Sequence, residues 1–120
     1  MIVLDTNTFI YLANNTLPRN IISNTDISHA SITKIEALGY SSIPANELLL
    51  LEELFSESYS LELTSSITER AIRLRQAKSM SLGDSIIAAT ALEHDLQLWT
   101  ANVQDFSHIH GLSIFNPLKS

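Results

Sequence analysis

The chain contains no cysteine. A disulfide framework and thiolate metal sites are therefore excluded, and any metal would have to be held by oxygen or imidazole. Glycine and proline are scarce, at three each. Gly39, Gly83, Gly111, Pro18, Pro44 and Pro117 are dispersed, so no linker or low-complexity tract is expected, only element boundaries near each. No apolar run approaches the ~20 residues that span a bilayer. The opening residues carry no basic segment ahead of a long apolar stretch, so no secretory signal is expected and a cytoplasmic location without membrane contact is. Basic residues are also few, seven against thirteen acids, for a net charge of −6. That balance disfavours broad, sequence-blind nucleic-acid binding, which relies on a basic surface. It leaves room for a nuclease whose metal ions offset part of the charge.

Hydrophobic residues make up 45% of the 120, enough for a folded core. A single domain over residues 1–120 is expected. Residues 2–4 read as a short buried strand, with a helix from Thr6 to Leu12 and a helical turn or two over 18–23. A strand lies within "DISHASI" (26–32), and "TKIEALG" reads as a helix closed by Gly39. "PANELLLLEELFS" (44–56), with its leading proline and early glutamate, is a helix. "YSLELT" (59–64) alternates like a strand. Helices follow over 66–79 and 81–95, and "LQLWT" (96–100) and "LSIF" (112–115) close the chain as strands. Strands alternating with helices imply an α/β fold with a mostly parallel sheet. Ligands in such folds collect beyond the carboxyl ends of the strands, where Asp5 and Asn102 both fall.

The first strand runs straight into Asp5, and the nearest basic residue in sequence is Arg19. Asp5, Glu36, Asp84 and Asn102 with Asp105 are the candidate site. Each has a plainer explanation. Asp5 can cap the first helix, "TKIE" (33–36) and "SLGD" (81–84) can be capping boxes, and Asn102 can be a turn residue. Caps, however, have no reason to converge. Acids crowded at one sheet edge raise each other's pKa unless a cation is present, and a divalent ion removes that penalty. Oxygen donors alone select hard ions such as Mg²⁺ or Mn²⁺. Such an ion can activate water against a phosphodiester. No histidine is placed for a metal-free route: His29 reads as structural, His94 lies on a helix face, and His108 and His110 sit in a polar turn.

At these residues the sequence resembles the PIN-domain family, specifically the toxin of VapBC-type toxin–antitoxin pairs. "VLDTNTFIYL" resembles the opening strand and acid, "ASITKIEALGY" the second acidic motif, and "SLGDSIIAATALEHDLQLWTANVQDF" the C-terminal signature. "LSIFNP" fits the last strand. The resemblance implies a three-layer α/β/α sandwich around a sheet of four or five strands. It implies a Mg²⁺- or Mn²⁺-dependent endoribonuclease that arrests growth, neutralised by a cognate VapB-like antitoxin and commonly a homodimer. Asp5, Glu36 and Asp84 match the acids that hold metal. Asn102 falls where some members carry a fourth acid, and Asp105 is a substitute for it. Asn7, Thr6, Lys34 and Thr100 are the residues expected to touch RNA.

Four of the seven basic residues lie between 70 and 78; the ordinary reading is a solvated helix face paired with glutamates such as Glu69, the functional one a phosphate-tracking patch. In the leucine-rich helix, Leu48, Leu51 and Phe55 are expected in the core, and Leu49, Leu50 or Leu54 against a partner. Trp99 and Tyr11 are expected to pack. A phospho-receiver domain would need paired acids after the first strand, and an aspartyl phosphatase a second aspartate at position 7, where this chain has Asn7. The remaining alternative is a catalytically inactive PIN-like protein-binding module.

Overall fold

A computed structural model describes residues 1–119. Five strands form one sheet: β1 (Ile2–Leu4), β2 (Ile27–Ala30), β3 (Tyr59–Leu61), β4 (Gln97–Trp99) and β5 (Ile114–Phe115). Their order is β3-β2-β1-β4-β5, and every pairing is parallel. Parallel strands need crossovers, supplied by α1 (Thr6–Ala13), α2 (Ser31–Leu38), α3 (Ala45–Ser56), α4 (Ser65–Ala77) and α5 (Leu82–Glu93). Short 3₁₀ turns occupy Arg19–Ile22 and Val103–Asp105. The chain steps outward from β1 through β2 to β3, then jumps across β1 to β4. The switch point is therefore the crevice between the carboxyl ends of β1 and β4.

Side-chain alternation in β1 divides the core in two. Ile2 and Leu4 join Phe9, Leu12, Leu51, Leu54 and Phe55 on the face covered by α1, α2 and α3. Val3 joins Ile67, Ala71, Ile87, Leu98 and Phe106 on the face of α4 and α5. The result is the expected three-layer sandwich. Helix α5 is buried from Ser85 to Ala91 on all sides, which is why its sequence has no polar stripe. Its alanines let it sit close to the sheet. The hydroxyls of Ser85 and Thr90 donate to the helix carbonyls of Leu82 and Ile86, so burial leaves neither unsatisfied.

Two expectations need correction. Of the leucines of α3, Leu48 is only partly buried and in neither core cluster, Leu54 is fully buried in the core, and Leu49, 69% exposed, is the outward one. The helical period explains it: Leu51, Leu54 and Phe55 are spaced three and four apart and share one face. "TKIE" is not a capping box. Helix α2 starts at Ser31, directly from β2, with Ala30 in the cap position and no capping side chain. Thr33 is thus inside the helix and buried, and Glu36 is free to face elsewhere.

Candidate active site

Asp5 leaves β1 at the switch point and is only 4% exposed. It caps α1. Its Oδ1 accepts from the backbone N–H of Thr8 at 2.9 Å and from the Thr8 hydroxyl at 2.7 Å. That hydroxyl also lies 3.1 Å from the Trp99 carbonyl oxygen, and the Asp5 N–H donates to the same carbonyl at 3.2 Å. The ends of β1 and β4 are thereby tied together around one carboxylate. The plain capping role and a site role coincide, because Oδ1 alone serves the cap.

Glu36 arrives from the other side. The Thr6 hydroxyl donates to its Oε1 at 2.7 Å, with the Thr33 hydroxyl 3.4 Å from that of Thr6. Its other oxygen rests on the start of α5: a β-carbon at Gly83 would stand 2.6 Å from Oε2. A side chain at position 83 would require the Glu36 carboxylate to move. Asp84, the next residue, is half-buried. Its N–H donates to the hydroxyl of Ser81, which caps α5. Burial pushes the Asp84 carboxyl above its ordinary value. The Ser81 contact opposes that, and the charges of Asp105, Asp5 and Glu36 raise it further. Three acids from three other segments thus act on Asp84.

As the side chains stand, no three His, Asp or Glu among the described residues are gathered tightly enough to grip one ion. Hydroxyl groups of Thr8 and Thr6 hold Asp5 and Glu36 in place. The donor set is nonetheless all hard oxygen, and its mutual repulsion is of the kind a divalent cation relieves.

The other sequence candidates are placed differently. Asn7 is exposed on the first turn of α1, and Asn102 is exposed at the edge of the 3₁₀ turn that carries Asp105. Thr100 is fully buried, and its hydroxyl accepts from the Asn102 N–H at 3.0 Å. It shapes the loop from inside rather than presenting itself to solvent. Lys34 is two residues from Glu36, so the two face different sides of α2. Its charge is felt by His29 in β2. The arginines of α4 are occupied: Arg70 pairs with Glu93 at 3.2 Å, Arg73 with Glu69 at 3.9 Å, and Arg75 donates to the Met80 carbonyl. The solvated, paired face is what the structure contains.

Sequence reasoning missed the surroundings of Asp84. A polar cavity of about 310 Å³ opens beside it, lined also by Lys78, Ser79, Gln104, Asp105 and His108. These come from the α4–α5 connection and the loop after β4; Asp105 is a candidate from the sequence, whereas Lys78, Ser79, Gln104 and His108 are brought beside it only by the fold.

The PIN domain family model matches residues 2–112. The fold is similar to a chain of a toxin–antitoxin complex from Klebsiella pneumoniae, 27% identical over 98% of both chains with a TM-score of 0.76. It is similar also to a chain of VapBC-1 from nontypeable Haemophilus influenzae, 26% identical over 99% of this chain and 100% of that one, TM-score 0.77. VapBC2 from Rickettsia felis, at 22% identity over 97% of this chain and 98% of that one, shares the fold with a TM-score of 0.80. A comparison with curated proteins returned no match. The chain belongs to the PIN domain family and has the fold of its VapBC-type relatives.

Proposed function

We propose that this protein is the toxin of a VapBC-type pair, a Mg²⁺- or Mn²⁺-dependent endoribonuclease that cuts RNA and arrests growth until a cognate antitoxin binds it. The observation that supports the reading is that Asp5, Glu36 and Asp105 come from separate segments yet lie near enough to Asp84 for their charges to add to burial in raising its carboxyl. Asp5, Glu36 and Asp84 would hold the ion directly or through water, with Asp105 as the fourth acid. Bound there, a divalent cation supplies charge neutralisation at the phosphate and a more acidic attacking water. The protein's share is positioning. Thr8 fixes Asp5, and Thr6 and Gly83 fix Glu36. A carboxylate left free of these bonds can orient or accept a proton from the attacking water. Asn7 and Asn102 are exposed, which supports a contact with the RNA strand.

The partner surfaces follow from exposed apolar residues. A cavity of about 290 Å³ between α1, α2 and α3, lined by Ile10, Ala37, Tyr40, Ile43 and Leu51, suits an antitoxin segment. Exposed Ile35 and Leu49 extend the apolar area of the same layer. Exposed Leu63, Ile72 and Leu82 border a second apolar groove of about 400 Å³ along α4 and α5, which suits a homodimer contact. Among the described residues no helix is long and apolar enough to cross a membrane.

The test is cleavage of RNA with Mn²⁺, with and without a chelator, by wild type and Asp84→Asn. Wild type is expected to cut only with metal, and the variant not to cut. Thermal melting gives a second readout. An ion at 100 times its Kd stabilises the folded state by about 2.7 kcal/mol, so Mn²⁺ is expected to raise the wild-type melting temperature and to leave Asp84→Asn unmoved. Without metal the variant is expected to be at least as stable as wild type, since a repelled, half-buried charge has gone. A wild-type protein that captures antitoxin but neither cuts RNA nor responds to Mn²⁺ is instead a binding module.

Gly83→Ala probes positioning alone. Its β-carbon would displace the Glu36 carboxylate, while alanine favours a helix by up to ~1 kcal/mol over glycine. Activity is expected to fall roughly 10–100-fold, the usual loss when a supporting contact behind a metal ligand is removed, with stability kept. Equal rates for Gly83→Ala and wild type under saturating Mn²⁺ would show that Glu36 has no need of that contact.

A further inference from the structure

The cavity beside Asp84 is lined by unlike groups: Asp84 and Asp105, and with them Lys78, Ser79, Gln104 and His108. Lys78 follows α4 as its terminal cap, in extended backbone. Among the described residues it has no carboxylate within ion-pair distance, whereas Arg19, Arg70 and Arg73 all do. Gln104 sits in the 3₁₀ turn of the loop after β4, and His108 lies three residues beyond that turn; both are exposed. The groups are chemically varied. The ammonium suits a phosphate, the hydroxyl a ribose 2′-OH, the amide a base edge, and the imidazole a base face or edge.

We propose that this cavity is a nucleotide subsite, in which Gln104 and His108 take the unpaired base next to the scissile phosphate and Lys78 holds the phosphate on its far side. The proposal rests on the nuclease reading and adds to it the residues that set sequence preference. Three observations carry it. The cavity shares Asp84 and Asp105 with the acid cluster, so whatever fills it abuts the reacting phosphate. Its volume, about 310 Å³, is at the small end of the range for ligand pockets, the scale of a single nucleotide. Its two carboxylates disfavour a bare anion where no cation is bound, a penalty the neutral base and ribose do not meet. A base read by its edges in this way has to be unpaired.

The experiment uses the full chain. Cleavage of an RNA oligonucleotide pool with one randomised segment is mapped with Mn²⁺ for wild type, Gln104→Ala, His108→Ala and Lys78→Ala. The first two variants are expected to lose at least 10-fold of discrimination at one position adjacent to the cut, through a lower kcat/KM on the preferred sequence. Lys78→Ala is expected to raise KM about 5–10-fold at every sequence. Duplex RNA of the same sequence is expected to be cut at least 10-fold more slowly than the single strand. In parallel, AMP, GMP, CMP and UMP are titrated one at a time in Mg²⁺ while the backbone amide signals of Ser79, Gln104 and His108 are followed by NMR. At least one nucleotide is expected to move all three in wild type and none in Gln104→Ala. Unchanged cleavage patterns and KM in all variants, with cutting intact, would overturn the subsite and leave the nuclease standing. Amide shifts without any cleavage by wild type would support the subsite and overturn the nuclease. Neither cleavage nor shifts would overturn both.

Discussion

Asp5→Asn is expected to fold as wild type does and to lose metal-dependent RNA cleavage by on the order of 10³-fold. The two halves of that result come from different atoms of one side chain. Oδ1 is the cap of α1, accepting from the N–H and hydroxyl of Thr8. Asparagine keeps an oxygen in that place and ranks with aspartate as a helix cap, so the change in stability is expected to stay below ~1 kcal/mol. What asparagine lacks is the charge. A group that only supports a metal ligand is worth 10–100-fold; a ligand itself is expected to be worth about ten times more, or about 4 kcal/mol of activation barrier. Asp5→Ala separates the roles from the other direction. It removes charge and cap together and should lose activity equally while also costing about 1 kcal/mol of stability. The pair is read by initial cleavage rates in Mn²⁺ and by urea unfolding. Asp5→Asn cutting at wild-type rates would mean that the buried acid is a cap and nothing more. The same carboxylate would then be no part of the chemistry, and the reading of the whole cluster would fail with it.

Much of the architecture was legible because the pattern-forming residues are local. The alternation of strand and helix, the Pro44 start of α3 and the Ser81 start of α5 can all be read within a turn or two. So can Asp5 as a strand-end acid, since β1 is three apolar residues with nowhere else to lead. What escaped was long-range. The bond from Thr6 to Glu36 joins residues 30 apart, and nothing near Gly83 in sequence announces that Glu36 lies against it. Lys34 looks close to Glu36 on paper, yet two residues on a helix are turned about 200° apart. Which of Leu49, Leu50 and Leu54 faces outward is not legible, because a run of leucines has no polar face to set its phase. Helix α2 was started two residues late because β2 passes into it without a capping side chain. His108 and Gln104 lie in loop sequence without periodicity, and only the packing of that loop against the α4–α5 connection brings them to Asp84.

Acidification is expected to destabilise this protein through His29, with a loss of about 3 kcal/mol between pH 6.5 and pH 4. His29 is 2% exposed in β2. Its ring meets Phe9 edge-on at 5.9 Å and Phe55 at 4.9 Å, and those two rings stack on each other at 4.3 Å. Nδ1 is 2.7 Å from the Ser58 hydroxyl. An imidazolium in such a place loses its hydration and gains no carboxylate. Burial, with a further push from the Lys34 charge, brings its pKa from 6.5 down to about 4. The unfolded chain therefore binds the proton first. Stability is full above the unfolded value, falls as pH drops through the window between the two, and levels off below about 4. The size follows from 1.36 kcal/mol per unit, and it is a large part of the 5–15 kcal/mol that holds a domain together. Asp84 works in the opposite sense. Its folded value is raised, so protonating it favours the folded state and blunts the loss. Urea unfolding from pH 7.5 to 4, with a chelator present, should therefore show a steeper acid limb in Asp84→Asn than in wild type. His29→Gln, which can still reach Ser58, should lose most of that limb while starting from a lower plateau. A His29→Gln profile parallel to wild type across the window would show that the imidazole is not what the acid titrates.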